Sequence, residues 1–365
     1  MGVLILASGM GLGHYIPALL LRDELRRKGR HAEVRVFESE LDDTTHAKIA
    51  RTTAAYQSDF GKALVGQRLH GMFGAASQAL DAQALDRQAL DTQALEPQEF
   101  DAAEHIVVFA GYWCPYLLAV PASKIDLIHV DLSPSPSWSA AADQVRLLKQ
   151  NGARELWLSR KESTGRRLVL SEGHAPLSWA GRERRVLVHG GGWAIGHLEA
   201  AIQQLCHISV DVLLGSRPRL LGVAGDVRQF GSPANWQPWS APADLPFPPL
   251  LQRTIDGDIL IESGTRHHAL DLLGKYIAVV SKPGGMALAE SLMTATPLVF
   301  LTPFGPHERS NAVKWIDEGF AIWFDDWKMR NFVEAPLEAL HANLVLARKN
   351  FLRYDCDRLD DRGRA

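Results

Sequence analysis

The residues of this 365-residue chain best suited to chemistry lie in three glycine-interrupted stretches. Residues 8–15 read SGMGLGHY, residues 281–290 read SKPGGMALAE, and residues 303–312 read PFGPHERSNA. In the first, Gly11 and Gly13 let backbone approach a ligand closely, and His14 follows them at the start of a helical pattern. A neutral imidazole there could take a proton from a hydroxyl. The alternative is a histidine that caps the helix or bonds a backbone carbonyl. In the second stretch Pro283 stiffens a turn, Gly284 and Gly285 leave their amides uncovered, and Glu290 falls near the second turn of the helix that follows. An anion could be held there by amides and the helix dipole, or the glycines could simply make a tight turn. The third stretch sets many hydrogen-bonding groups beside a strand end, which suits a polyhydroxylated ligand or a surface turn capped by Ser310 or Asn311.

Other chemistries fit less well. A dinucleotide fingerprint G-x-G-x-x-G would need glycine where His14 stands, although Glu38 closes the second strand as a ribose-binding acid would. Asp256 and Asp258 form a D-x-D, as do Asp355 and Asp357, but the first precedes an apolar run and the second lies in a polar tail, so neither suggests a metal site. Cys114, Cys206 and Cys356 have no paired spacing, which argues against a disulfide framework or zinc and fits a reducing cytoplasm. A net charge of −3 argues against sequence-independent nucleic-acid binding.

Strand and helix patterns must position these stretches. Val3–Ala7 is a fully apolar strand, Pro17–Gly29 an amphipathic helix and Ala32–Phe37 the next strand, which together imply a parallel βαβ unit. Further strands are predicted at Ile106–Ala110, Ile125–Leu132, Val186–His189, Val210–Leu214, Ile277–Val280 and Pro297–Leu301. This is an α/β chain of two doubly wound, Rossmann-like units, 1–175 and 185–345, with a boundary near 180 and a C-terminal helix or tail at 346–365. The length and the 46% hydrophobic content agree with two cores. No stretch reaches the roughly 18 apolar residues of a membrane helix, while peripheral membrane contact leaves no such signature. Residues 78–97 repeat a QALD-like five-residue unit; five residues advance a helix by about 140°, so the leucines spread around it, as in a solvent-facing insertion. The segment NWQPWSAPADLPFPP, 235–249, is too rich in proline for regular structure and reads as a surface loop or one that shapes a pocket.

Taken together, ASGMGLGHYIPALLLRDELRRKG and VVSKPGGMALAESLMTATPLVFLTPFGPHERSNAVKWIDEGFAI resemble the GT-B glycosyltransferases. The similarity is to the branch with the lipid-II N-acetylglucosaminyltransferase, the monogalactosyldiacylglycerol synthases and the macrolide-type enzymes. It implies a cytoplasmic, metal-independent enzyme without a cofactor that moves a sugar from a nucleoside-diphosphate sugar, UDP in the first instance, to a small-molecule or lipid-like acceptor. In the donor site it implies Ser281, Gly284, Gly285, Met286 and Glu290, with Gly190, Gly191 and Gly192 lining the phosphate side. His307, Glu308 and Asn311 would contact the sugar. His14 would be the catalytic base, with Gly11, Gly13, Tyr15, Trp113 and Trp138 on the acceptor side and Trp193 near them. Members often orient the histidine with an aspartate about a hundred residues on; the strand end here reads FAGYWCPY, and Asp131 is the substitute candidate. An epimerase or hydrolase on the same scaffold, or a non-catalytic relative, is the competing reading.

Overall fold

The computed structural model describes residues 2–64, 98–171, 173, 175–192, 194–218, 220 and 226–356. The QALD repeat at 78–97, Trp193 and Asp357 lie outside the described residues.

The first sheet contains β1 (Val3–Ala7), β2 (Ala32–Val36), β3 (His105–Val108), β4 (Ile125–His129) and β5 (Arg154–Trp157). All pairings are parallel and the order is β2-β1-β3-β4-β5. The order reverses between β1 and β3, so the crevice at their carboxyl ends is where such a sheet receives a ligand. Helix α1 (Tyr15–Arg27) follows β1 and buries Ile16, Ala18, Leu19, Leu21 and Leu25. Arg26 and Arg27 complement its dipole in the last turn, and Gly29 leaves it at φ +79°. Helix α2 (Asp43–Ser58) starts on Asp42, whose carboxylate accepts the Thr45 amide at 2.6 Å. Helix α3 (Ala142–Gln150) leads into β5.

After β6 (Arg167–Val169), the second sheet begins with β7 (Glu183–His189) and continues through β8 (Ser209–Leu213) and β9 (Arg228–Gly231). The hairpin strands β10 (Leu250–Arg253) and β11 (Asp258–Glu262) follow, then β12 (Tyr276–Ser281), β13 (Leu298–Phe300) and β14 (Ala321–Trp323). The order is β11-β10-β9-β8-β7-β12-β13-β14, parallel from β9 to β14 and antiparallel at β10 and β11. Its switch point lies between β7 and β12, where the His189-Gly-Gly-Gly and Ser281-Lys-Pro-Gly-Gly turns emerge side by side. The helices after β7 and β12 are α4 (Leu198–Gln204) and α5 (Gly285–Thr294); α6 (Pro306–Asp317) and α7 (Ala335–Ala347) complete this half.

Two features depart from the reading of the sequence. Within the expected C-terminal helix or tail, β15 (Phe351–Arg353) pairs in parallel with β6. Tyr354 then reaches the first half, its hydroxyl donating to Asp126 at 2.5 Å beside His105. The chain thus crosses back after the second sheet, a long-range return that no local pattern encodes. The hairpin β10–β11 is the other departure: Asp258 opens a strand there, after an Asp256-Gly257 turn.

Candidate functional site

The two crevices face each other and are in contact. Gly285, the first residue of α5, donates its amide to the Asp131 carboxylate at 2.9 Å, and a Cβ on Gly285 would stand 2.7 Å from the backbone of Val130. Opposite it, a Cβ on Gly192 would come within 2.6 Å of the Leu12 amide. Both glycines are therefore required by the close approach of the other half's backbone. The apolar void between Pro17 and Leu20 of α1 and Met286, Ala289 and Met293 of α5 measures about 10 Å³, which leaves α1 and α5 packed together.

In the first half, the Ser8–Gly13 turn is held from below by a buried carboxylate. Glu38 accepts the Ser8 hydroxyl at 2.6 Å and the amides of Gly9 at 2.5 Å and Met10 at 3.3 Å. Burial pushes its pKa up, and these bonds pull against the shift. The resemblance of Glu38 to a ribose-binding acid is thus misleading, because the carboxylate consumes the amides that a dinucleotide would need. Gly11 sits at φ +68° and its carbonyl accepts the Gly13 amide. His14 follows at the cap position of α1 without a side-chain capping bond, and its Nδ1 is buried without a partner. Neither structural alternative for His14, a cap or a carbonyl bond, is realised at that nitrogen. Burial lowers its pKa, the Asp131 charge works in the opposite direction, and a charged His307 would lower it further. The imidazole is held neutral, as a proton acceptor must be.

Asp131, the substitute candidate beside His14, makes its hydrogen bonds to the second half, accepting the Gly285 amide at 2.9 Å and Asn311 Nδ2 at 2.7 Å, while its charge still acts on His14. Asn311 is saturated: Nδ2 also donates to the Pro283 carbonyl at 2.8 Å and Oδ1 accepts the Leu132 amide at 2.8 Å. It joins the two halves, and its fully buried side chain offers nothing to a sugar. Ser281 is likewise spent, its buried hydroxyl donating to the Lys282 carbonyl at 3.0 Å. Of the turn amides, that of Gly284 closes on the Lys282 carbonyl at 2.9 Å.

On the second half, Glu290 is bonded by His267 Nε2 at 2.7 Å, and Glu308 by Lys282 Nζ at 2.8 Å. Lys282 and Glu308 are 9% and 4% exposed, so this is a buried ion pair, finished by the Phe304 amide on Glu308 at 2.6 Å. A lone charge left behind there would be costly, which makes the pair mutually dependent. His189 at the end of β7 accepts the Gly191 amide on Nδ1 at 3.0 Å, while its Nε2 is buried without a partner. Gly190 and Gly191 receive the Ile195 and Ala194 amides on their carbonyls, which folds the turn over the end of β7. The far end of α5 is neutralised by two arginines. Arg182 donates to the carbonyls of Thr294 and Ala295, and Arg348 to those of Leu292 and Met293.

Lys282, His189 and His267 are functional candidates that sequence reasoning missed. Each has a local signal: a cation before Pro-Gly-Gly, and two histidines, one before Gly-Gly-Gly and one in the Arg266-His-His run.

The acceptor-side aromatics are placed differently from expectation. Trp113 is fully buried, donating to the Ala7 carbonyl at 2.8 Å, and Trp138 is buried against His129 at 4.4 Å between ring centres. Both fill the core: Trp113 lies in a 3-10 turn after β3, and Trp138 in a short helix, Pro136–Ala140, after β4. His129 stacks on Trp157 at 3.9 Å and bonds Glu155 at 3.1 Å, and burial pushes its pKa down to about 4. Tyr15 is buried, with its hydroxyl donating to Pro246 at 2.7 Å. The 235–249 segment accordingly packs onto the first half. Trp239 stacks on His46, a Cβ on Gly9 would meet Pro238 at 2.8 Å, and Trp236 and Phe247 join Tyr15, Ile16 and Leu19.

Two facing switch-point crevices carrying these turns invite comparison with solved structures. The spinosyn rhamnosyltransferase SpnG superposes at a TM-score of 0.55 over 97% of this chain and 97% of its own, with 14% identity. SsfS6 from Streptomyces sp. SF2575, a glycosyltransferase solved with thymidine diphosphate, gives 0.53 over 96% of each chain at 14% identity. SnogD from Streptomyces nogalater, also a glycosyltransferase, gives 0.52 over 97% and 96% at 16% identity. The chain has the GT-B fold. No family model matches this GT-B chain, and the comparison with curated proteins gave no match. Among its described residues, no helix is long and apolar enough to cross a membrane.

Proposed function

We propose that this GT-B protein is a glycosyltransferase that moves a sugar from a nucleoside-diphosphate sugar to a hydroxyl or amine of a small-molecule or lipid-like acceptor, without a metal or other cofactor. One observation carries the reading. The amide-bearing start of α5, the Lys282 ammonium and the unpartnered His189 Nε2 converge at one switch point, across from a neutral His14 at the other. Amides and a buried cation suit a diphosphate, and an imidazole with a lowered pKa suits proton removal.

In this reading the diphosphate takes the place that Asp131 now holds on the Gly285 amide, and Glu290 with His267 receives the ribose. His307 faces the sugar, while Glu308, its two oxygens taken by Lys282 and the Phe304 amide, holds Lys282 in place. His14 removes the acceptor proton as the acceptor oxygen or nitrogen bonds to the anomeric carbon. The bond from that carbon to the diphosphate breaks, and the charge released falls on the α5 amides and Lys282. The similarity to SsfS6, solved with thymidine diphosphate, puts dTDP beside UDP among the donors to try.

The test is a thermal-shift panel of UDP, dTDP, GDP and ADP, followed by product analysis with the sugar of the stabilising nucleotide. Stabilisation by one diphosphate, and a glycosylated product from an acceptor library, is the expected result. No stabilisation by any diphosphate would remove the reading. Sugar isomerised or released without an acceptor would instead favour an epimerase or hydrolase.

A further inference from the structure

The imidazole at the end of β7 holds a hydrogen that nothing among the described residues accepts. His189 is 7% exposed, and its Nδ1 accepts the Gly191 amide at 3.0 Å. An accepting ring nitrogen carries no hydrogen, so in the neutral ring the hydrogen is on Nε2. Burial lowers the pKa of the ring, the Glu290 charge pulls it up and the Lys282 charge pulls it down again, so the neutral form prevails. Nε2 is therefore a donor of fixed direction, buried and without a partner. A buried N–H in that state costs stability, and a ligand oxygen that accepts from it recovers the cost.

The strand register places this donor in the donor crevice. His189 is paired with Ser281, the residue before the Lys-Pro-Gly turn. Side chains alternate along a strand, and Leu187 packs with Leu288 and Leu292 of α5, so His189 lies on the face that α5 covers. Its ring is within reach of two charges, Glu290 on α5 and Lys282 at the end of β12. In the proposed function Glu290 receives the ribose, and Lys282, held by Glu308, stands toward the sugar. A group that both charges reach belongs to the first phosphate after the ribose.

We propose, on the reading of this crevice as a nucleoside-diphosphate site, that His189 donates from Nε2 to the phosphate attached to the ribose, leaving Lys282 to serve the phosphate bonded to the sugar. A nucleoside monophosphate keeps only the first of these phosphates. Loss of the Nε2 donor must therefore weaken the monophosphate and the diphosphate alike.

Asparagine and glutamine separate the two ring nitrogens. Asparagine Oδ1 falls close to the position of histidine Nδ1, so it keeps an acceptor for the Gly191 amide and puts nothing at Nε2. The glutamine amide reaches the Nε2 position and keeps a donor there. Isothermal titration of the full chain and both variants, with UDP and UMP, dTDP and dTMP, GDP and GMP, and ADP and AMP, makes the comparison. His189→Asn should bind the monophosphate and the diphosphate of the preferred base each about tenfold more weakly, and His189→Gln should stay within about threefold of the wild type. An asparagine variant that binds like the wild type, a loss confined to the diphosphate, or a glutamine variant as weak as the asparagine one overturns the assignment and leaves the proposed function standing. A wild type that binds none of the diphosphates removes both. Circular dichroism shows whether the variants are folded. Should His189→Asn unfold, nitrogen NMR of histidine-labelled wild type decides, with the His189 signal identified by its loss in His189→Gln. Nε2 must then shift when the monophosphate is added, and an unmoved resonance overturns the proposal.

Discussion

The Asp131 carboxylate accepts the Gly285 amide at 2.9 Å, so an acidic side chain of the first half caps the helix that follows the Lys-Pro-Gly turn of the second. In the proposed function this is the place of the donor diphosphate, and Asp131 holds it from within the chain. The negative end of the same helix is quenched by Arg182 and Arg348, which leaves its N-terminus as the end that selects an anion.

Asp131→Asn should therefore tighten nucleoside-diphosphate binding, by roughly tenfold, since a neutral amide competes less well for the site than a carboxylate. Isothermal titration with the nucleotide found in the thermal-shift panel measures it. Unchanged or weaker binding would show that Asp131 does not compete with the ligand.

The two glycines of the turn should respond differently to alanine. Gly285→Ala drives a methyl to 2.7 Å from Val130 backbone and should cost about 1–3 kcal/mol in chemical denaturation. Gly284, at φ −73° with its nearest neighbour Glu308 Oε1 at 3.7 Å, should accept alanine within about 0.5 kcal/mol. Equal losses would refute the assignment of the close approach to Gly285.

His14→Ala should lower turnover by about 10²–10⁴ while leaving diphosphate affinity intact. The loss belongs in kcat, because the histidine sits on the half opposite the α5 amides. A variant with wild-type turnover would rule out His14 as the base.

Stability should fall on acidification through His129. Its pKa is pushed down to about 4 by burial, below an unfolded value of about 6.5. Between those values only the unfolded chain binds the proton, so the contribution is complete above pH 6.5 and is lost as pH falls toward 4, up to about 3 kcal/mol. His14, His189 and His341 are shifted in the same direction and add to the slope. Melting curves of His129→Gln from pH 7 to 5 should fall less steeply than those of the wild type; parallel curves would contradict the assignment.

Much of the framework is legible in local sequence. Val3–Ala7 and the helix after it declare themselves by an apolar run, then a 3.6-residue period, then Gly29. The strand ends at His189 and Ser281 are marked by the glycines that follow. Aromatic residues mislead, because Trp113 and Trp138 beside a crevice read the same whether they line it or lie beneath it.

By itself, the sequence determined two α/β units and where their turns fall, since strand period, helix period and glycine placement act over a few residues. Tertiary structure alone decided what those turns do. Gly285 meets Asp131 across 154 positions, Lys282 meets Glu308 across 26, and Tyr15 meets Pro246 across 231. The first and last depend on how two sheets are brought face to face and the second on how a helix start packs beside a neighbouring strand end, and a buried charge or amide takes whichever partner that packing supplies.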